Sequence, residues 1–171
     1  MADKYLHFDR TTGRIKEKEA TVTSSGASDA GKIVALGSDG KLDSSVLPAG
    51  LGEDTISLPT YEDLAAGDFV NIFDDAGTTK VRKADASSNK PAHGYVLDSV
   101  TSGNNVTVYF DGHNTQLTGL TPGKYYFLSA TTPGGVSDTP PNTAGYIAQR
   151  LGVAISDTTI DVEIEAPIEL A

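Results

Sequence analysis

No window of ten or more residues in this chain places apolar side chains at helical spacing, which confines it to β structure. Short runs between turn residues take the place of a helical period. Ile160, Val162 and Ile164 alternate strictly with Asp161, Glu163 and Glu165, the pattern of an antiparallel strand with one face in water. Val106, Val108 and Phe110 alternate with Thr107 and Tyr109 in the same way. Phe69-Val-Asn-Ile-Phe73 and Lys80-Val-Arg-Lys83 flank the turn residues Asp74-Asp75-Ala76-Gly77, and His93-Gly-Tyr-Val-Leu97 reads as the next strand. Thr121-Pro122-Gly123 sets Pro and Gly where a type II turn needs them, ahead of Lys124-Tyr-Tyr-Phe-Leu128. Pro133-Gly134-Gly135 and Asp138-Thr-Pro140-Pro141 mark further loops. Residues 59–67 predict one short helical turn, with Thr60 as N-cap, Glu62 and Asp63 near its positive end, and Gly67 stopping it.

The β-patterned region contains an internal echo over residues 64–112 and 120–166. Leu64-Ala-Ala-Gly67-Asp-Phe-Val-Asn-Ile72 lines up with Leu120-Thr-Pro-Gly123-Lys-Tyr-Tyr-Phe-Leu128, and Gly77 with Gly134. Gly94-Tyr-Val-Leu97 followed by 106–110 matches Gly152-Val-Ala-Ile155 followed by 160–164. Two copies are too few for a solenoid and predict one compact antiparallel β-barrel or sandwich, built from two similar halves that hide each other's sheet edges.

Ahead of residue 59 the chain changes character. Tyr5-Leu6-His7-Phe8 and Ile15 are brief apolar touches among charged residues. Ser24-Ser25-Gly26-Ala27-Ser28-Asp29-Ala30-Gly31 predicts an extended, flexible linker. Ile33-Val34-Ala35-Leu36 is a short strand-like run closed by Gly37-Ser38-Asp39-Gly40, and Leu42, Val46 and Leu47 follow before Pro48, Gly50 and Gly52 end the region. Such pieces cannot enclose a core alone. The expected organisation is an attachment arm over residues 1–58 and a β-rich body over 59–171. The candidate partner-binding residues are Tyr5, Leu6, Phe8, Ile15, Ile33, Val34, Leu36, Leu42, Val46 and Leu47.

Charge follows the same division. Residues 1–20 hold five bases and four acids, net +1, which leaves −11 on the rest of a 171-residue chain whose total is −10. An acidic body repels phosphate backbones, so no nucleic-acid partner is expected. With 38% hydrophobic residues the core is modest, and with no Cys there is no disulfide scaffold, thiolate metal centre or thiol nucleophile. The first ten residues lack the apolar run of a secretory signal, and no stretch approaches the ~18 apolar residues of a membrane span, so no membrane partner is expected.

Catalytic patterns are missing from the sequence. Only His7, His93 and His113 are present, with no Gly-x-Ser-x-Gly elbow and no His-Glu-x-x-His. Asp111 and His113 read as a solvated turn rather than a dyad, because Asp, Gly and Asn are turn formers. Asp39 and Asp43 resemble a calcium loop whose upstream oxygen positions are filled by Ala35 and Gly37, and Asp74-Asp75 reads as a turn. Asn105-Val-Thr107 fits the glycosylation pattern, without a secretory signal to expose it. The row Asp161, Glu163 and Glu165 is a solvated strand face, or one that meets a basic partner. The expectation is a non-enzyme with no cofactor and no metal.

Asp29-Ala-Gly-Lys-Ile-Val-Ala-Leu-Gly-Ser-Asp-Gly-Lys-Leu-Asp-Ser-Ser-Val-Leu-Pro48 resembles a segment near the N-termini of many tailed-bacteriophage virion proteins, including head fibres, tail fibres and capsid decoration proteins. The body resembles the β-rich domain of phage capsid decoration (cement) proteins through Ala66-Gly-Asp-Phe-Val-Asn-Ile72, Lys83-Ala-Asp85, Gly94-Tyr-Val-Leu97, the 120–128 segment and Thr132-Pro-Gly-Gly135. The two resemblances cover most of residues 29–165, and residues 1–28 match no known pattern. They imply a structural protein made in the host cytoplasm, homotrimeric, bound to the major capsid protein on the outer surface of the virion head and stabilising the shell. The alternative is a tail-fibre or receptor-binding subunit with the same arm; against it, no extended shaft is visible between residues 48 and 60. A virion-associated depolymerase is the weakest reading.

Overall fold

The computed structural model describes residues 3–47 and 54–171. The chain divides into two compact units, residues 1–52 and 53–171. It is an all-β protein whose named strands pair antiparallel, as the alternation predicts.

In the first unit, β1 (Lys4–Asp9) and β2 (Arg14–Glu19) form a hairpin in full register from Lys4 opposite Glu19 to Asp9 opposite Arg14. Its tip is fixed by the Asp9 carboxylate, which accepts the N–H groups of Thr11 and Thr12 and pairs with Lys16. The ammonium of Lys16 and these donors hold the Asp9 pKa well below the usual carboxylate range. Sequence reading did not find this hairpin. The expected flexible linker over 24–31 is corrected by a 3-10 turn, Gly26–Asp29, whose terminal carboxylate takes the Ser25 N–H and an ion pair from Lys32. Of the strand-like run at 33–36, a single parallel bridge from Val34 to Thr21 forms. Gly37 to Gly40 closes as the expected turn. The break at 48–53 lies outside the described residues.

The second unit begins ahead of residue 59. β3 (Thr55–Pro59) pairs along its length with β7 (Asn105–Tyr109), so the expected boundary at 58/59 falls inside a strand. The chain continues through β4 (Phe69–Asp75), β5 (Thr78–Lys83), β6 (Gly94–Tyr95), β7, β8 (Gly112–Asn114), β9 (Tyr125–Leu128), β10 (Val136–Ser137), β11 (Ile147–Ala148), β12 (Arg150–Ala154), β13 (Ile160–Val162) and β14 (Ile168–Glu169). One sheet has the order β3-β7-β6-β4-β5, the other β8-β13-β12-β9-β10, and β11 pairs with β14.

The helical turn expected at 59–67 does not form. Thr60 is buried, bridges Val81 and donates its hydroxyl to Thr101 O, while Tyr61 N–H reaches Val81 O. Glu62 and Asp63 accept the N–H groups of Lys83 and Ser102 rather than stabilising a helix start. These tertiary bonds carry the chain from β3 round to β5.

Successive residues of β4 serve opposite faces. Val70 joins Leu58, Leu64, Val81, Val96, Val106 and Val108 in one core cluster. Phe69 joins Tyr95, Leu120, Tyr126, Leu128, Leu151 and Ile160 in a larger cluster drawn from both sheets. Between the sheets, Gln149 is 2% exposed and ties three backbone groups: its Oε1 accepts Ala92 N–H, and its Nε2 donates to the carbonyls of Ala92 and Glu165.

Candidate functional site

Alternation along the hairpin sorts its side chains by face. Residues opposite one another share a face, so Lys4, Leu6 and Phe8 stand with Glu19, Glu17 and Ile15, while Tyr5, His7 and Asp9 stand with Lys18, Lys16 and Arg14. The second face meets its own unit at one end, where Tyr5 Oη and Lys18 Nζ both donate to Gly31 O, at 3.3 and 3.1 Å, while His7, Arg14 and Lys16 are exposed. The first face is open. Leu6, Phe8 and Ile15 are 74%, 56% and 68% exposed, bordered by the Lys4–Glu17 ion pair at 3.0 Å.

The remaining candidates lie elsewhere in the unit. Ile33, Val34, Leu36 and Leu42 are exposed on loops, and Val46 and Leu47 are half-buried at the 3-10 turn Ser44–Val46. Asp43 caps that turn through Ser45, whose hydroxyl and N–H lower its pKa. Among the described residues of this unit no hydrophobic side chain is buried. Burying one Leu or Phe is worth about 1.5–3 kcal/mol, so the Leu6–Phe8–Ile15 patch is a large unspent contact surface.

The polar candidates are each engaged locally. Asp39 accepts Lys41 N–H, Asp74 accepts Gly77 N–H, and Asp75 pairs with Lys80 at 2.7 Å. Asp111 offers its backbone carbonyl to Tyr95 Oη, and His113 lies 3.5 Å from Asp161 across β8 and β13, both side chains open to water. Among the described residues no group of three His, Asp or Glu side chains is placed to hold a metal. The acidic row meets a base of its own chain: Arg150 pairs with Glu163 and Glu165 and stacks over Tyr125, 4.9 Å from the ring centroid.

Sequence reading missed a set of exposed apolar residues on the body: Ile56, Tyr61, Tyr125, Ile155 and Ile168. It also missed a depression of about 390 Å³ where hydroxyls of Ser129, Thr131, Ser137 and Thr139 and the Asn142 amide share the lining about equally with apolar surface, Ala130 and Pro141 included. The Ser-Thr-Pro-Asn composition of 129–143 was the available signal. No family model matches the sequence, and neither a curated protein nor a solved structure matches it.

Proposed function

We propose that this chain is a non-enzymatic structural protein of a tailed-bacteriophage virion, a decoration (cement) protein that binds the major capsid protein on the outer head surface. The observation that carries this reading is the open Leu6–Phe8–Ile15 face, in a unit whose described apolar residues are all left outside a core. A segment of this kind gains its burial on a neighbour's surface. Repeated over the subunits of a homotrimer, a modest interface becomes substantial avidity. The acidic body faces water and stays clear of packaged DNA.

We also read the body as a duplicated unit closing into a compact β-barrel-like core. Both sheets place the strand that comes first in the chain beside the fifth and last of the set, as in β3-β7 and β8-β13. Gly67 N–H to Val96 O and Val96 N–H to Asp68 O recur as Gly123 N–H to Ala154 O and Ala154 N–H to Lys124 O. Gly94 in β6 and Gly152 in β12, each in the fourth strand of its set, lie where another backbone passes: a Cβ would come within 2.5 Å of Tyr109 O or 2.1 Å of Asp161 O.

Purified protein added to heads lacking it should bind to saturation at symmetry-related sites and raise their resistance to heat, because a ligand of the intact lattice stabilises it by mass action. The hydroxyl-lined depression favours the alternative, a tail-fibre subunit that binds a neutral host glycan. In that case electron microscopy finds density on the tail alone, and head stability is unchanged.

A further inference from the structure

The depression between the 129–131 turn and the loop joining β10 to β11 is held in shape by bonds that serve no core. Its most buried lining residue is Ser129, 3% exposed. The Ser129 Oγ accepts the N–H groups of Thr131 and Thr132 at 3.2 and 3.0 Å and lies 3.3 Å from Thr131 Oγ1. Across from it, Thr139, Pro140, Asn142 and Thr143 are exposed, yet their loop is pinned at both ends. Ser137 Oγ donates to Thr139 O and accepts Thr139 N–H, Asp138 pairs with Lys124 at 2.8 Å, and Pro140-Pro141 stiffens the crossing. At the far end Tyr146 N–H donates to Thr143 O, Gly145 N–H reaches Leu170 O, and Leu170 N–H reaches Tyr146 O. A binding loop fixed beforehand loses less freedom when a ligand arrives.

What the loop's own bonds leave over faces the depression. The Asn142 amide, the Thr143 hydroxyl and the Tyr146 hydroxyl bond no other group of the chain. Tyr146 is half-buried, and because no buried side-chain polar atom among the described residues lacks a partner, its hydroxyl opens to water. No charged side chain lines the depression, and the neighbouring Asp138 is already matched by Lys124.

That chemistry selects a ligand class. An ion would lose hydration and find no counter-charge. A wholly apolar molecule would displace water from hydroxyls and an amide that it cannot bond. A saccharide avoids both losses: its hydroxyls replace those waters, and its C–H faces lie against Ala130, Pro141 and the Tyr146 ring. The volume of about 390 Å³ is small for a ligand pocket, for which ~300–1,000 Å³ is typical, and suits a short saccharide. We propose that the body binds a short uncharged saccharide here, with Asn142, Thr143 and Tyr146 as its hydrogen-bonding residues. The assignment rests on the glycan reading of this depression and extends it, since a tail position is not required. The Leu6–Phe8–Ile15 face belongs to the other unit, so one chain carries both an attachment face and a sugar site. Copies repeated on a particle turn a weak single site into avidity.

The test follows amide NMR signals of the full chain during titration with uncharged oligosaccharides of glucose, galactose, mannose and N-acetylglucosamine. Sialylated and sulfated oligosaccharides serve as charged counterparts. At least one uncharged series should shift the signals of residues 129–131 and 142–146 and leave those of 4–19 in place. Y146F and N142A should each weaken binding about fivefold or more. T143W, which fills the depression from an exposed position, should abolish it, and melting temperatures of all three should stay at the wild-type value. No shift with any sugar, shifts confined to other residues, tighter binding of the charged sugars, or wild-type affinity in all three variants overturns the proposal. Head binding is scored separately with the L6S, F8S double variant, which should lose heads and keep the sugar. Failure of attachment and failure of the sugar site are thereby told apart.

Discussion

Single residues decide whether the body's two sheets hold together. Gln149 satisfies both backbone groups of the buried Ala92 as well as the Glu165 carbonyl, and each buried group left unpaired costs about 1–3 kcal/mol. Q149L should therefore lower the thermal midpoint clearly although it adds apolar volume, and chemical denaturation of the full chain measures the loss. G152A is expected to destabilise at the top of the roughly 1–3 kcal/mol range for overpacked sites, because its Cβ meets a backbone carbonyl that cannot swing aside. Two titrations add a pH dependence. Burial holds the His93 pKa below the ordinary histidine value, and its Nδ1 accepts Ile72 N–H at 3.0 Å, which requires the neutral ring. Its folded pKa is depressed, so the unfolded state binds the extra proton more readily. Stability is complete above about pH 6.5 and falls as acid takes the pH down through that value. Asp85 acts lower on the scale. Burial opposes its charge, but the hydroxyls of Ser88 and Ser87 and the Ser87 N–H prevail and lower its pKa, so its contribution goes only below the usual carboxylate range. Melting temperatures should show two steps on acidification, and H93Q should remove the upper one.

At the level of elements, the hairpin and β3 make separable predictions. Changing Leu6 and Phe8 together to Ser should weaken head binding and leave the melting temperature nearly unchanged, since both side chains are already in water. A fragment starting at Glu53 should unfold cooperatively. One starting at Thr60 should be markedly less stable, having lost the partner of β7 and the Leu58 side chain from the core. Circular dichroism during heating distinguishes them. The elements also show what could be read beforehand. The β4–β5 hairpin was legible because an apolar run, a turn and a return run lie together in sequence. β6 came out shorter than the run at 93–97 suggests, because the pairing that sets its length involves residues far along the chain. Thr60, Glu62 and Asp63 carried a helix-start signal that long-range hydrogen bonds to residues 81, 83, 101 and 102 overrode. β1 and β2 went unread because their alternation is mostly between charged residues, with Leu6, Phe8 and Ile15 too sparse to mark a face. Those same residues were picked out as binding candidates from their apolar character alone.

Within one chain a mixed-charge N-terminal unit precedes an acidic body. If attachment rests on the apolar hairpin face, raising salt should change head binding little. Binding carried by the charged border alone would weaken severalfold once screening shortens to about 8 Å at physiological ionic strength. A chelator should leave both melting temperature and head binding as they were, because each acidic turn spends its carboxylates on its own backbone or a neighbouring lysine. A drop in either measurement would show that Asp39, Asp43, Asp74 or Asp75 holds a cation.

Phe69 N–H donates to Gly134 O and Gly134 N–H to Ala84 O, so the 132–135 turn is inserted between β4 and β5 and sets an order of events during synthesis. β3 to β7 leave the ribosome before the turn that completes the β4–β5 ladder exists, so the nascent first sheet waits with a gap in that ladder and Phe69 uncovered. Chains arrested ahead of residue 134 should be trapped by chaperones or cleaved near β4, while released full-length chains should resist protease. Translation speed after residue 134 would then govern how much of the protein reaches its folded form.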